Sequence, residues 1–577
     1  MKEHISTPDW AKDAVWYQIF PERFRNGDRN NDPDSQHLSE GSAECWRIKD
    51  WGGDWYAVDE WEEKAGGFFR SVGLRRYGGD LQGIIDKLDY LADLGVTALY
   101  LNPVFRSGSA HKYDGKCFHH IEETFGPDPE GDRRLLASAN ETDDPATWLW
   151  TSADRLFLKL ITEAHCRNLK VIIDGVFNHC GRDFFAFEDL LKNRQKSGYK
   201  SWYNITAWTD SLPDGFEYKG WENYHYLPEF RRDQNNVDDS YKNYVFNITR
   251  RWLKPDGIVE NGVDGWRLDV APCMPDGFWK DWRKCVKAEN PDAYIAAEIS
   301  THRPEYMAGD EFDACMNYQW AFTCVDFFAN KKNKINAAQF DEKLDVLRKD
   351  YAPETCQAMM NLLSSHDTPR MRTLFANPDR NYHGLDQKSA ANSRVYDSHD
   401  YQLDRGTAEQ KKAQLLFMLF QMCYVGAPMI YYGDELGMTG ANDPDCRKPM
   451  LWPDIGYARE TAHPIPGKTG PCEANEPDSE IFNFYKTLIK IRKSEICLRR
   501  GSVETLAADD AMFVFARAYK EERLIVALNN GAETGQVEIK AGNVTDLLSG
   551  EKFVPDSRGT VCLNLRAYSA VILAGRQ

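Results

Sequence analysis

Residues 262–271 read GVDGWRLDVA, a strand-forming and mostly apolar run that nonetheless carries two charges, Arg267 and Asp269. Residues two apart on a strand project from the same face, so the two side chains would sit side by side. Taking charges out of water costs several kcal/mol per ion, which a fold seldom bears for stability alone. Two readings are open at this point: a structural ion pair inside a core strand, or a chemical site at its end.

The run is one of eight. Short apolar, β-rich stretches also occur at 15–20 (VWYQIF), 97–104 (TALYLNPV), 170–177 (KVIIDGVF), 293–300 (AYIAAEIS), 312–317 (FDACMN), 361–367 (NLLSSHD) and 427–435 (APMIYYGDE). Stretches of helical period, such as 81–95 and 153–169, lie between them, giving a strand–helix alternation. Eight such units predict an α/β fold, a closed (β/α)₈ barrel with its site at the C-terminal strand ends. Two long segments interrupt the rhythm, one over about 105–150 and a second, dense in Trp and Tyr, over 180–245. Past the amphipathic stretch 481–494 the pattern changes to short alternating runs, which predict an antiparallel β-sandwich. The expected organisation is a catalytic barrel over 1–499, with 180–245 inserted after the third strand, and a C-terminal sandwich over 500–577.

Composition narrows the partners. A net charge of −18 over 577 residues argues against nucleic acid and anionic membranes, which are bound through clustered Lys and Arg. No run approaches the roughly 20 apolar residues of a membrane span. The opening MKEHISTPDWAKDAV lacks the apolar core of a secretory signal, so a cytoplasmic location is expected, although a processed exported chain would read the same. Fourteen cysteines are scattered without metal-finger spacing, several inside apolar runs, and read as reduced core residues.

Polar groups collect where the predicted strands end. The third ends in Asp174, Asn178 and His179, the fourth in Arg267 and Asp269, the fifth in Glu298, and the seventh in His366 and Asp367. On a barrel these share one rim. Three carboxylates without a Cys or His zinc pattern suit glycosidic hydrolysis, where one acid protonates the leaving oxygen and one carboxylate attacks the anomeric carbon. Arg267 would keep Asp269 ionised, while desolvation beside YIAA would raise the pKa of Glu298 and fit it to acid/base work. Near the start, NGDRNND places Asn26, Asp28, Asn31 and Asp32 together. These are hard oxygen donors of the kind Ca²⁺ prefers, or else the polar side chains of a turn.

DGVFNH (174–179), GWRLDVA (265–271), AAEIS (296–300) and LSSHD (363–367) resemble, in order, the four signature regions of the α-amylase family of glycoside hydrolases. YGGDLQGI, HKYD and GAPMIYYGDELGMTGANDPDCRKPMLW resemble its cyclomaltodextrinase, neopullulanase and maltogenic amylase branch. The resemblance implies Asp269 as nucleophile, Glu298 as acid/base and Asp367 as the third carboxylate. It also implies His179 and His366 as hydrogen-bonding partners of the sugar at the cut, Tyr113 stacked beneath it, and Asp443 and Arg447 further along. It implies calcium held by the 26–32 loop with a Gly and Asp from a GGD stretch, for which Gly78 and Asp80 match the branch's wording better than Gly52–Asp54.

The sequence departs from that branch in places. An N-terminal β-domain that makes a capped dimer in relatives is not seen before the barrel, so a monomer is expected. Pro272 and Cys273 stand where Asn-Glu is usual, Ser300 where Trp is common, and 127–150 reads as an insertion. The leading expectation is a retaining hydrolase of α-1,4 or α-1,6 bonds in maltooligosaccharides, cyclodextrins, pullulan or starch. An α-glucosidase, a glucanotransferase and a non-catalytic carbohydrate-binding relative are the alternatives. The last would typically lack one of the three acids, and all three are present here.

Overall fold

The computed structural model describes residues 7–38 and 45–575; the ends of the two expected domains, 1–6 and 576–577, lie outside the described residues. Strands β1 (Trp16–Ile19), β2 (Ala98–Leu101) and β3 (Lys170–Gly175) are followed by a hairpin of β4 (Ile205–Trp208) and β5 (Phe216–Tyr218). Then come β6 (Gly265–Leu268), β7 (Tyr294–Ile299), β8 (Ala314–Asn317), β9 (Met360–Asn361) and β10 (Ala427–Tyr431). Apart from the hairpin, these form a closed parallel barrel in chain order, with β10 against β1. Each of the eight apolar runs contributes one strand. β2 and β7 are buried at every position, as expected where helices cover the outside and side chains fill the inside.

The helices follow from their sequences. In Ser152–His165, Phe157, Leu160, Ile161 and Ala164 face inward at i, i+3, i+4 and i+7, behind a Thr151/Asp154 capping box. The stretch 81–95 is two helices rather than one, Leu81–Asp86 and Leu88–Leu94, separated at Lys87, whose φ of −108° and ψ of 5° are not helical. The second ends on Gly95 at φ 100°, a left-handed cap that a residue without Cβ adopts freely. Among the described residues no helix is long and apolar enough to cross a membrane.

Register sets the rim. β3 pairs Asp174 with Arg267, and β6 pairs Leu268 with Ala297, so the next step places Asp269 beside Glu298. β9 is only two residues long. The chain then leaves the sheet in a turn where Ser365 N–H donates to Thr368 Oγ1 (2.8 Å) and Asp367 N–H donates to Ser365 Oγ (3.1 Å). The excursion after β3 ends at Asp238, whose carboxylate caps the helix Asp239–Leu253. Residues 239–245, assigned from sequence to the insertion, therefore belong to a barrel helix.

The C-terminal unit comprises β11 (Ser502–Asp509), β12 (Met512–Tyr519), β13 (Glu522–Asn529), β14 (Gly535–Lys540), β15 (Val544–Asp546), β16 (Lys552–Phe553), β17 (Thr560–Leu565) and β18 (Ser569–Ala574). A six-stranded antiparallel sheet faces the pair β14–β17. Alternation along β12 explains its double burial. Val514 and Ala516 meet Ile539, Val561 and Leu563 inside the sandwich, while Phe513 and Phe515 pack 6.3 and 5.9 Å from the Phe420 ring of the barrel. On that second face the fully buried Arg517 donates to the carbonyls of Cys423 (2.7 Å), Gly501 (3.0 Å) and Ser502 (3.2 Å). Arg517→Leu leaves these acceptors unpaired, each at about 1–3 kcal/mol. Urea unfolding of the variant should show a loss of about 3 kcal/mol, and an unchanged midpoint would remove the joint from the account.

Candidate active site

At the centre of the rim Arg267, with no exposed surface, serves three acids at once. Its Nη1 lies 2.8 and 3.0 Å from the Asp174 oxygens and 3.1 Å from Asp269 Oδ1, and its Nη2 lies 2.6 Å from Glu298 Oε1. Asp174 also accepts from the hydroxyls of Tyr100 (2.7 Å) and Tyr113 (2.8 Å). The other Glu298 oxygen accepts the N–H of Val270 at 2.9 Å. Val270 follows Asp269 with φ 40° and ψ 45°, a left-handed conformation that strains a β-branched residue and turns its N–H toward Glu298.

A second group holds Asp367. Its Oδ1 lies 3.0 Å from Arg447 Nη2 and its Oδ2 3.0 Å from His366 Nε2. Arg447 also pairs with Asp443 at 2.9 Å and donates from Nε to the His366 carbonyl at 2.8 Å. Gln18 Nε2 donates to His366 Nδ1 (2.8 Å), which leaves Nε2 as the protonated nitrogen facing Asp367 and the Tyr113 hydroxyl (2.7 Å).

His179 is held at Nδ1 by the Asn178 amide (3.1 Å) and stacks on Trp221, with centroids 5.0 Å apart and planes 16° apart. Asn178 is oriented in turn by Arg232 (2.9 Å). The buried Nε2 of His179 has no hydrogen-bond partner. The structure thus brings Asp269, Glu298, Asp367, Arg267, Tyr113, His366, Asp443 and Arg447 into one contact network, with His179 at the end of the same β3. Gln18, Asp174, Val270 and Asn102, which accepts from Gln18 Nε2 (3.0 Å) and donates to the Tyr113 hydroxyl (3.0 Å), were not predicted as site residues. Of these, Asp174 was visible as an acid ending an apolar run. In the aromatic loop Trp202 is core, Trp208 is exposed, and Trp221 backs His179.

Electrostatics change one expectation. Burial raises the Asp269 carboxyl well above the usual range, and the charge of Glu298 adds to this; Arg267 opposes both and is outweighed. Arg267, which also contacts Asp174 and Glu298, lowers the Asp269 pKa by less than burial raises it. Burial likewise raises Glu298, as expected. Burial also disfavours the Asp367 anion, but the contacts from His366 and Arg447 prevail and hold it well below the usual range. Burial keeps His179 neutral, pushed down to about 3.

The loop at 26–32 lies apart from this network. Asn26 Nδ2 donates to Asp32 Oδ1 at 2.6 Å, and the Oδ1 atoms of Asn26 and Asn31 are buried without partners. Gly78, at φ 75°, lies so close to Asp32 and Asn26 that a Cβ there would collide with both. Asp54 instead bonds Thr461 and Ala462, so the second GGD stretch is the one at this loop. Asp80 organises this loop. Its oxygens accept the N–H groups of Gly27 (3.1 Å), Gly83 (2.6 Å) and Asp28 (2.9 Å) and the Asn31 amide (3.1 Å), which fills a carboxylate's four positions. Asp28 caps its own turn by accepting Asn30 N–H at 3.0 Å. The unpartnered buried oxygens of Asn26 and Asn31, with Asp32 beside them, make a donor set that fits Ca²⁺.

A barrel rim that gathers acids around one arginine has the group types that glycosidic cleavage requires. The profile described as Alpha amylase, catalytic domain matches residues 18–143, 152–388 and 384–501, and that of the Alpha-amylase C-terminal domain matches 501–572. The chain belongs to the α-amylase family of hydrolases. It is 35% identical to neopullulanase 2 of Thermoactinomyces vulgaris over 99% of this chain and 79% of that protein. It is 36% identical to a cyclomaltodextrinase of Thermoanaerobacter pseudethanolicus over 92% and 72%. Among solved structures, a debranching enzyme from Nostoc punctiforme matches with a TM-score of 0.69 and 28% identity, covering 99% of this chain and all (100%) of that one.

The charge arrangement carries a stability signature. Because the folded-state pKa of Asp269 is raised, the folded protein holds a proton that the unfolded chain loses, and stability falls as pH rises above about 4. Asp269→Asn removes that penalty. Thermal melts should show the variant more stable by about 1 kcal/mol or more at pH 8, since one pH unit of displacement is worth about 1.4 kcal/mol. The gap should shrink toward pH 4; a variant less stable at pH 8 would contradict the assignment.

Proposed function

We propose that this chain is a retaining hydrolase of α-glucosidic bonds in α-glucans, with Asp269 as nucleophile and Glu298 as acid/base. The observation that carries the reading is the meeting of both carboxyls on the single guanidinium of Arg267, which keeps them close together. Retaining enzymes hold the pair about 5–5.5 Å apart, too near for water to intervene. An Asp269 oxygen bonds to the anomeric carbon as the glycosidic C–O bond breaks, and Glu298 gives its proton to the departing oxygen. Glu298 then takes a proton from water, whose oxygen attacks the anomeric carbon from the face the leaving group vacated as its bond to Asp269 breaks. The buried pair retains one proton between two carboxyls, which is the ionisation this sequence needs. Ionised Asp367 and the donor Nε2 of His179 are groups suited to gripping sugar hydroxyls.

The names of the relatives support α-1,4 and α-1,6 glucans, including cyclodextrins and pullulan, as the substrate class. Ser300, whose carbonyl accepts Gln319 Nε2 at 2.6 Å, puts a small side chain just past the acid, and Cys273 sits after the nucleophile. Chromatography of products from maltotriose, β-cyclodextrin, pullulan and starch separates hydrolysis from the α-glucosidase and glucanotransferase alternatives. Fourteen unpaired cysteines support a reducing, cytoplasmic location, and a net charge of −18 favours a monomer; light scattering should give 66.3 kDa.

Calcium in this reading is structural. Asn26, Asn31 and Asp32 would hold it, and it would fix the loop after β1 without entering the reaction. Millimolar Ca²⁺ should raise the melting temperature relative to EDTA by mass action, and superimposed curves would count against the site. For the mechanism, NMR of an early maltooligosaccharide digest should show the α-anomer first, with β arising by mutarotation. Asp269→Asn should lose at least 10³-fold in turnover, an order of magnitude in keeping with loss of a covalent nucleophile. A β-anomer at the earliest times would mean inversion and remove both roles.

A further inference from the structure

Away from the rim, three side chains that the reaction does not use converge: His119, His120 and Glu141. Their ligand-capable atoms lie within 4.8 Å of one another. Nε2 of His120 is 2.9 Å and Nε2 of His119 is 3.6 Å from Glu141 Oε2. Two ligands of one tetrahedral zinc ion, each about 2.0–2.1 Å from the metal, stand about 3.3 Å apart, so both distances are near what a shared ion requires.

Each group is oriented from behind. His120 Nδ1 bonds Asp154 Oδ2 at 2.8 Å, and Asp154 is itself fixed by the N–H groups of Ile121 (2.8 Å) and Thr151 (3.0 Å) as part of a helix capping box. His119 Nδ1 bonds the Tyr244 hydroxyl at 2.8 Å, and its ring stacks on Trp148 at 4.6 Å and 9°. Glu141 uses Oε1 to accept Leu149 N–H at 2.6 Å, which leaves Oε2 to the histidines. Carboxylate and hydroxyl partners on the outer nitrogen are how metal-binding imidazoles are aimed. The cluster opens on a cavity of about 320 Å³ that Lys116 and Asp183 also line, room enough for water as a further ligand.

We propose that His119, His120 and Glu141 bind a divalent transition metal, with Zn²⁺ the best match to two imidazoles and a carboxylate. The site is separate from the oxygen donors at 26–32, which suit Ca²⁺. It joins the segment carrying Tyr113 to the stretch 127–150 and, through Tyr244, to the helix Asp239–Leu253, so the metal would fasten these three parts of the chain together.

The test uses the full chain without a polyhistidine tag, stripped with EDTA and dialysed against micromolar ZnCl₂, with bound metal measured by plasma mass spectrometry. One equivalent should be retained by the native chain and lost in both His119→Gln and Glu141→Gln. Loading with Co²⁺ should give visible d–d bands without thiolate charge transfer, a readout on the native chain that stands even where a variant fails to fold. No retained zinc, equal retention in the two folded variants, or a thiolate-to-cobalt band would each overturn the proposal, the last by assigning the metal to cysteines.

Discussion

One guanidinium shared among three buried acids is the constraint on which the rim depends. Arg267 can neutralise one negative charge, yet Asp174, Asp269 and Glu298 all contact it. Asp174 also accepts two tyrosine hydroxyls, whereas Asp269 and Glu298 share the remaining contacts of the guanidinium. Burial makes a second anion there costly, and the pair keeps a proton. A buried ion pair weakens a fold when it is short of partners; here that shortage leaves the proton held where the acid/base step needs it. The desolvation is borne by β3, β6 and β7, which apart from Lys170 at the start of β3 are otherwise without charge and whose backbones are paired on both sides.

Much of this was legible in the sequence, because the barrel strands read as unbroken apolar runs and any ionisable group at their ends stands out. Asp269, Glu298 and Asp367 were visible for that reason, as was Arg267. What Arg267 does was not, since one partner lies two residues away and the others on neighbouring strands 93 and 31 positions distant in the chain by residue number. The left-handed turn at Val270 carries no sequence signal, since its neighbours rather than its own propensity impose it. The break at Lys87 and the end of the insertion at Asp238 were missed for a related reason: helical period continues across the first, and the aromatic richness of the insertion runs on into Tyr241 and Tyr244.

Asp80 shows two uses of one aspartate side by side. The GGD wording identified the correct loop partner, but an aspartate before a helix competes between two uses, ligand and cap. Four N–H donors converge on it, and burial pushes its pKa up to about 6. A carboxylate so occupied organises the loop that presents Asn26, Asn31 and Asp32 and leaves the open oxygens to them.

The site also divides by how its parts are held. Asp269 and Glu298 sit at strand ends fixed by the barrel register, whereas Tyr113 comes from the loop after β2 and Trp221, behind His179, from the excursion after β3. Those two excursions bind each other directly, through Gly181 N–H to the Gly115 carbonyl (3.0 Å), Phe185 N–H to the Lys116 carbonyl (3.1 Å) and the Lys116–Asp183 pair (3.1 Å). Asp269 and Glu298 are therefore placed by the barrel, whereas Tyr113 and Trp221 are placed in part by these loop-to-loop contacts. Changes in 105–150 or 180–238 can reshape the surface around the rim while leaving Asp269 and Glu298 in place, and under the proposed function those loops, not the barrel, set which glucan fits.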